Sequence, residues 1–183
     1  MLFNSYDFVF GFLPLVFLGF LVLARTGMPT LVQAWLVICS LFFYGWWNYK
    51  YLALILVSIF FNYFVGLLIS HSKNHTRKLW LILGLCFNLG LLGFFKYADF
   101  FISTTTIRFA TDFNLLHIIL PLAISFFTFQ QIAYLVDRYK DIEFKREISF
   151  LEYMLFVAFF PQLLAGPIVH HSQVIPQFRD PAF

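Results

Sequence analysis

Six residues could do chemistry together: Gln130, Gln131, Tyr134, Asp137, Arg138 and Asp141, all in the stretch SFFTFQQIAYLVDRYKD. Amides can donate to and accept from a substrate carbonyl or amide, a carboxylate can accept a proton, and a guanidinium can hold an anion. A general base at neutral pH is most often a histidine, and five are available: His71, His75, His117, His170 and His171. His170 and His171 come shortly after Gly166-Pro167, which makes them the two histidines best placed for a role at a membrane re-entry. Neighbouring residues on a helix diverge by about 100°, so this pair cannot work as one matched face. Cys39 and Cys86 lie inside apolar runs and have no histidine or basic residue within a helical turn, so both read as small buried hydrophobes. There is no zinc-type spacing, no glycine-rich phosphate loop and no basic tract, so neither a metal site nor nucleic acid is expected.

What must position these residues is a membrane protein. Of 183 residues, 61% are hydrophobic and 11% charged, with a mean hydropathy of +0.83; soluble domains carry roughly 25% charged residues. The start, MLFNSYDFVFGF, lacks a basic n-region and places Asp7 where a signal peptide would carry Lys or Arg, so the first apolar run is expected to stay as a structural helix. Runs near the roughly 20-residue spanning length lie at about Phe8–Ala24, Leu31–Tyr44, Leu52–Ile69, Leu79–Phe95, Leu115–Val136 and Phe150–Ala165. The aromatic segment YGWWNYKY marks a tight hairpin at headgroup level between the second and third. Pro161 and Gly166-Pro167 make the sixth run either a broken span or a re-entrant segment. The expected fold is therefore all-α: a polytopic transmembrane bundle of about six segments, residues 1–183 forming one transmembrane domain.

The basic residues orient it. With the N-terminus outside, the inner loops hold Arg25, Lys73, Arg77, Lys78, Arg138, Lys140, Lys145 and Arg146, against Lys50, Lys96, Arg108 and Arg179 outside. The positive-inside rule then predicts an extracytoplasmic N-terminus in the cell's inner (plasma) membrane, with the 71–78 and 137–149 loops cytoplasmic.

At about 100° per residue, the six polar residues fall within a wedge of roughly 120°. This stripe has two readings. In one, the glutamines bond neighbouring helices and Asp137 with Arg138 marks the water boundary. In the other, the stripe lines a cavity open to the cytoplasm.

LPLAISFFTFQQIAYLVDRYK, followed by FVAFFPQLLAGPIVHHSQVIPQF, closely resembles two adjoining signatures of membrane-bound O-acyltransferases. The resemblance is to the bacterial branch that includes alginate O-acetyltransferases and the D-alanyl transferase of teichoic acid. FFYGWWNYKYLALI and FFKYADFF also look like that family's N-terminal half. The resemblance implies an enzyme with a thin core between two funnels. It would move an acyl group, acetyl being expected, from a cytoplasmic acyl-CoA or acyl-carrier thioester to hydroxyls of an exported polysaccharide such as alginate. The donor is a substrate and no bound cofactor is expected. A cytoplasmic acyl-carrier protein and extracytoplasmic acetylation proteins are the implied partners beside the lipid bilayer. Family members are more than twice this long, so the resemblance places the catalytic histidine beyond Phe183 and no catalytic residue within this chain. Gln130, Gln131, Tyr134, Asp137, Arg138, His170 and His171 remain as tunnel- or substrate-lining candidates. The competing classes are a catalytically silent membrane assembly or binding module and, with less in its favour, a small transporter, since the stripe occurs once without an inverted repeat.

Overall fold

The computed structural model describes residues 5–109, 120–140, 148–165 and 175–178. Among these, all regular structure is helical. A π-helical turn, Asp7–Phe12, runs into α1 (Leu13–Ala24), and α2 (Pro29–Trp47), α3 (Tyr49–His71) and α4 (Asn74–Phe109) follow. After them come α5 (Ile124–Lys140), α6 (Phe150–Ala158) and α7 (Phe160–Ala165).

Local chemistry sets the boundaries. Gly27, at φ 68°, takes the left-handed conformation that ends α1, and Pro29 opens α2 where its missing N–H costs no helical bond. The expected aromatic hairpin contracts to one residue: Asn48 alone separates α2 from α3, and its side chain accepts from the Lys50 N–H at 3.0 Å. At the start of α6, Ser149 accepts from the Glu152 N–H at 3.2 Å while Glu152 accepts from the Ser149 N–H at 2.8 Å, a reciprocal capping box.

Among the described residues, four helices are long and apolar enough to cross a membrane: Asp7–Ala24, Pro29–Trp46, Tyr49–His71 and His75–Ala98. They match the first four sequence runs. Lys96 and Tyr97 do not close the fourth, however, because α4 continues through ADFFISTTTIRF to Phe109. The fifth run starts later than expected, at Ile124, and its 17 residues reach about 25 Å at 1.5 Å each, short of the roughly 30 Å hydrocarbon core. The sixth run is broken. Phe159 leaves the helix (φ −55°, ψ 108°), separating a nine-residue α6 from a six-residue α7. A break inside a membrane protein must satisfy its backbone internally. Here the Phe160 N–H donates to Ser40 Oγ at 3.3 Å, and that hydroxyl donates to Leu36 O at 2.7 Å.

The helices pack in two groups. In one, α3, α4 and α5 contact one another; in the other, α2 lies against α1, α6 and α7. α3 joins them through α2 and α6. Phe8, Phe12, Val16, Leu36, Val37, Phe43 and Phe160 form the core of the second group, with Phe12 and Phe160 edge to face at 5.3 Å. The outward surface is apolar, with Phe10, Leu18, Val22, Phe64, Leu79 and Leu89 all exposed, as lipid contact requires.

Candidate functional site: the polar face of helix α5

Helix α5 turns its polar stripe into the bundle. Gln130, Gln131, Tyr134 and Arg138 are buried, Asp137 is half-buried, and Phe126 and Phe129 face outward. Val136 is half-buried. Close approach makes this possible. A methyl group on Gly66 of α3 would lie 2.5 Å from Tyr134 Cε1, and one on Gly84 of α4 would overlap the Leu135 side chain. Both glycines let backbones and side chains meet without a Cβ between them, as small residues do at membrane helix interfaces. The residue before α5, Ala123, has φ 55° and turns the chain into the helix.

The centre of the site is an amide cluster that joins three helices. Ser58 Oγ donates to Gln131 Oε1 at 3.1 Å, and Asn62 Nδ2 donates to the same oxygen. Asn62 Nδ2 also lies 3.3 Å from Asn88 Oδ1, while Asn88 Nδ2 donates to Asn62 Oδ1 at 2.6 Å and to Gly84 O at 2.8 Å. Ser58, Asn62, Asn88 and Gln131 are all at most 1% exposed. Gln131 Nε2, Gln130 Oε1, Thr128 Oγ1 and Tyr153 Oη have no hydrogen-bond partner among the described residues. The site therefore contains both donors and acceptors with unused capacity. Below the cluster the Tyr134 and Tyr153 rings meet at 4.4 Å.

The stripe ends in arginine. Arg138 is 4% exposed, its Nη1 donates to Ser70 Oγ at 3.3 Å, and its guanidinium lies 5.5 Å from the Tyr134 ring centre. Arg77, from α4, donates through Nη2 to Arg138 O at 2.7 Å and lies over the Tyr139 ring.

His170 and His171 lie outside the described residues, as do His117 and Asp141; His71 and His75 are exposed. The thiols differ from the sequence reading. Cys39 is buried as expected, but Cys86 faces outward from α4, on a side of the helix that none of the described residues covers. Among the described residues, no three His, Cys, Asp or Glu side chains come together as a metal site would need. Sequence reasoning missed Ser58, Asn62 and Asn88. Each is a lone polar residue in an apolar run, and the four-residue step from Ser58 to Asn62 on one face of α3 was the available signal.

No family model matches the chain, and no solved structure matches it. Curated proteins do. The chain is 50% identical over 205 aligned residues to a peptidoglycan O-acetyltransferase of Helicobacter pylori, a match covering 98% of this chain and 39% of that protein. It is 38% identical over 186 residues to the probable alginate O-acetylase AlgI of Pseudomonas aeruginosa, covering 98% and 35% respectively. It is 36% identical to the protein of the same name in Azotobacter vinelandii, covering 98% and 36%. The chain thus spans little more than a third of the length of these relatives.

Proposed function

Because the chain resembles the N-terminal part of the membrane-bound O-acyltransferases along its whole length, we propose that it takes part in O-acetyl transfer to an exported polysaccharide. The observation that carries this is the agreement of the relatives: their names differ in polymer, peptidoglycan or alginate, and share acetylation at oxygen. The acceptor is then a sugar hydroxyl, and the donor an acyl thioester of coenzyme A or of a carrier protein. The hydroxyl oxygen adds to the thioester carbonyl, a C–O bond forms, the C–S bond breaks, and the hydroxyl proton ends on the released thiol. Near that path, this chain's residues would orient and exclude water. Gln131, held on its oxygen by Ser58 and Asn62, presents its NH₂ in a fixed direction. Tyr134 and Tyr153 wall the space beside it.

The test is Gln131→Leu in the full-length protein. Acetyl incorporation should fall by about tenfold, the size of a lost orienting contact, with membrane protein level unchanged. Full turnover at normal level would assign Gln131 to helix bonding alone and leave the stripe without a role in transfer.

The proposed orientation puts the N-terminus outside and the ends of α3 and α5 in the cytoplasm of an inner-membrane protein. Single cysteines at Ser72 and Lys140, in a background free of Cys39 and Cys86, should resist an impermeant reagent added to intact cells. Labelling of either from outside would reverse the orientation. Ser149 is unsuitable for this purpose, because its hydroxyl caps α6.

A further inference from the structure

A cavity of about 270 Å³ lies where the α1–α2 turn meets the α6–α7 bend, and none of its walls comes from α5. Its mouth is the turn itself, where Gly27, Met28 and Pro29 are exposed. Phe20, Ala24 and Val32 form half-buried walls, and buried Leu36 forms the floor. The kink at Phe159 supplies a further wall, its ring edge to face with Phe178 at 5.5 Å. From Pro29 to Leu36 the cavity follows α2 for about 10 Å at 1.5 Å per residue. Both α1, with the turn before it, and α2 are long and apolar enough to cross the membrane. The turn that joins them therefore lies at a membrane face, and the cavity runs from there into hydrocarbon.

Three features select an occupant. The walls are apolar, and atoms that face an empty space lose their dispersion contacts on that side. Arg25 is exposed at the end of α1, two residues before Gly27 and so beside the mouth; a guanidinium pairs with phosphate oxygens through two parallel bonds. Gln33 lies one helical turn inside the mouth and is only 6% exposed. Its Nε2 donates to Phe178 O at 3.1 Å, which uses one of two amide hydrogens and leaves the other for an acceptor in the cavity. A cation, then an amide donor, then an apolar slot is the order of phosphate, ester carbonyl and alkyl chain along a phospholipid.

We infer that this cavity takes one acyl chain of a membrane phospholipid, with the phosphate at Arg25 and the ester carbonyl at Gln33. The chain fills the space between the α1–α2 turn and the α6–α7 bend and joins the two. The site shares no residue with the polar face of α5, and nothing in the inference depends on the transfer reaction.

The experiment uses the full-length protein in phosphatidylcholine nanodiscs that contain a little phosphatidylcholine bearing a diazirine in one chain. After illumination, labelled peptides are located by mass spectrometry. Residues 20–36 should take up at least about fivefold more label than the outward face of α4 at Leu79, Leu83 and Leu89, which meets the same bilayer. Equal label on both segments is contact with bulk lipid and overturns the inference. Absence of label from 20–36 also overturns it, and is the result expected if another part of the full-length protein fills the cavity. A diacylglycerol with the same diazirine chain lacks the phosphate and should label 20–36 less than the phospholipid does; equal uptake of the two removes phosphate from the site and overturns the inference. These comparisons use the unaltered protein and stand even where a variant fails to fold. Ala24→Phe, which fills the cavity, should lower the label on 20–36 to the α4 level, and undiminished label there would place the lipid outside the cavity. Arg25→Gln should lower the label from the phospholipid to that from the diacylglycerol, and an unchanged difference between the probes would take the phosphate away from Arg25.

Discussion

Helices α3, α4 and α5 share a buried cluster of amides, whereas the core between α1, α2 and the α6–α7 bend is rich in phenylalanine, with single bonds from Trp35 to Val16 O and from the Phe160 N–H to Ser40 at its edges. In water both would be driven together by burial. In lipid the surrounding chains are as apolar as Phe or Leu, so packing and hydrogen bonds must do what the hydrophobic effect does elsewhere. The phenylalanine group relies on many weak contacts, each of which a neighbour can partly replace. The amide group relies on a few directional bonds that hold at one register of α3, α4 and α5 only. A site that must place donors and acceptors needs the second kind of joint, and the polar stripe sits on it.

Three substitutions break or sharpen that comparison, measured as reversible unfolding in mixed micelles. The largest effect belongs to Gly66→Val. Even a single methyl there would lie 2.5 Å from Tyr134 Cε1 and 2.6 Å from its hydroxyl. The substitution should cost about 3 kcal/mol, the upper end of overpacking. A cost near zero would mean that α3 and α5 do not touch as described.

Next comes Asn62→Leu, which leaves Asn88 and Gln131 buried with broken bonds and should cost about 2 kcal/mol. The triple change Asn62→Leu, Asn88→Leu, Gln131→Leu should regain part of that loss, since unpaired amides cost more than absent ones. If the triple variant is simply the sum of its parts, the three side chains do not act as a cluster.

The smallest effect is expected of Phe12→Leu in the aromatic group, less than about 1.5 kcal/mol. A loss larger than that of Asn62→Leu would invert the comparison and make the phenylalanine joint the specific one.

Much of this was legible in the sequence. The first three spans and the start of the fourth follow from apolar runs and their edges. The helical wheel put Gln131 and Tyr134 on one polar stripe of α5, and the structure turns both into the bundle. The break in the sixth run was visible in Pro161. Two kinds of feature were not. Lys96 looked like a stop signal, yet a helix can run past the membrane surface into water, so charge marks where lipid ends and not where α4 ends. The partners of Gln131 could not be found by periodicity, because its bonds to Ser58 and Asn62 join residues 73 and 69 positions apart. A period describes one helix. It carries no information about which other helix lies opposite, and that is where Gly66 and Gly84 act.

The bond from the Phe160 N–H to Ser40 Oγ has a consequence in time. It joins residues 120 positions apart, and a chain is made from its N-terminus at about 5–20 residues per second. Ser40 is therefore inserted, on α2, several seconds before Phe160 leaves the ribosome. The hydroxyl that completes the bend is in the membrane before the bend exists. Moved ahead of α2, the same FVAFFPQL sequence would reach hydrocarbon with an unmet N–H, and continuing as a straight helix would be its cheaper course. The shape of α6 and α7 thus draws on a residue of α2 as well as on their own sequence.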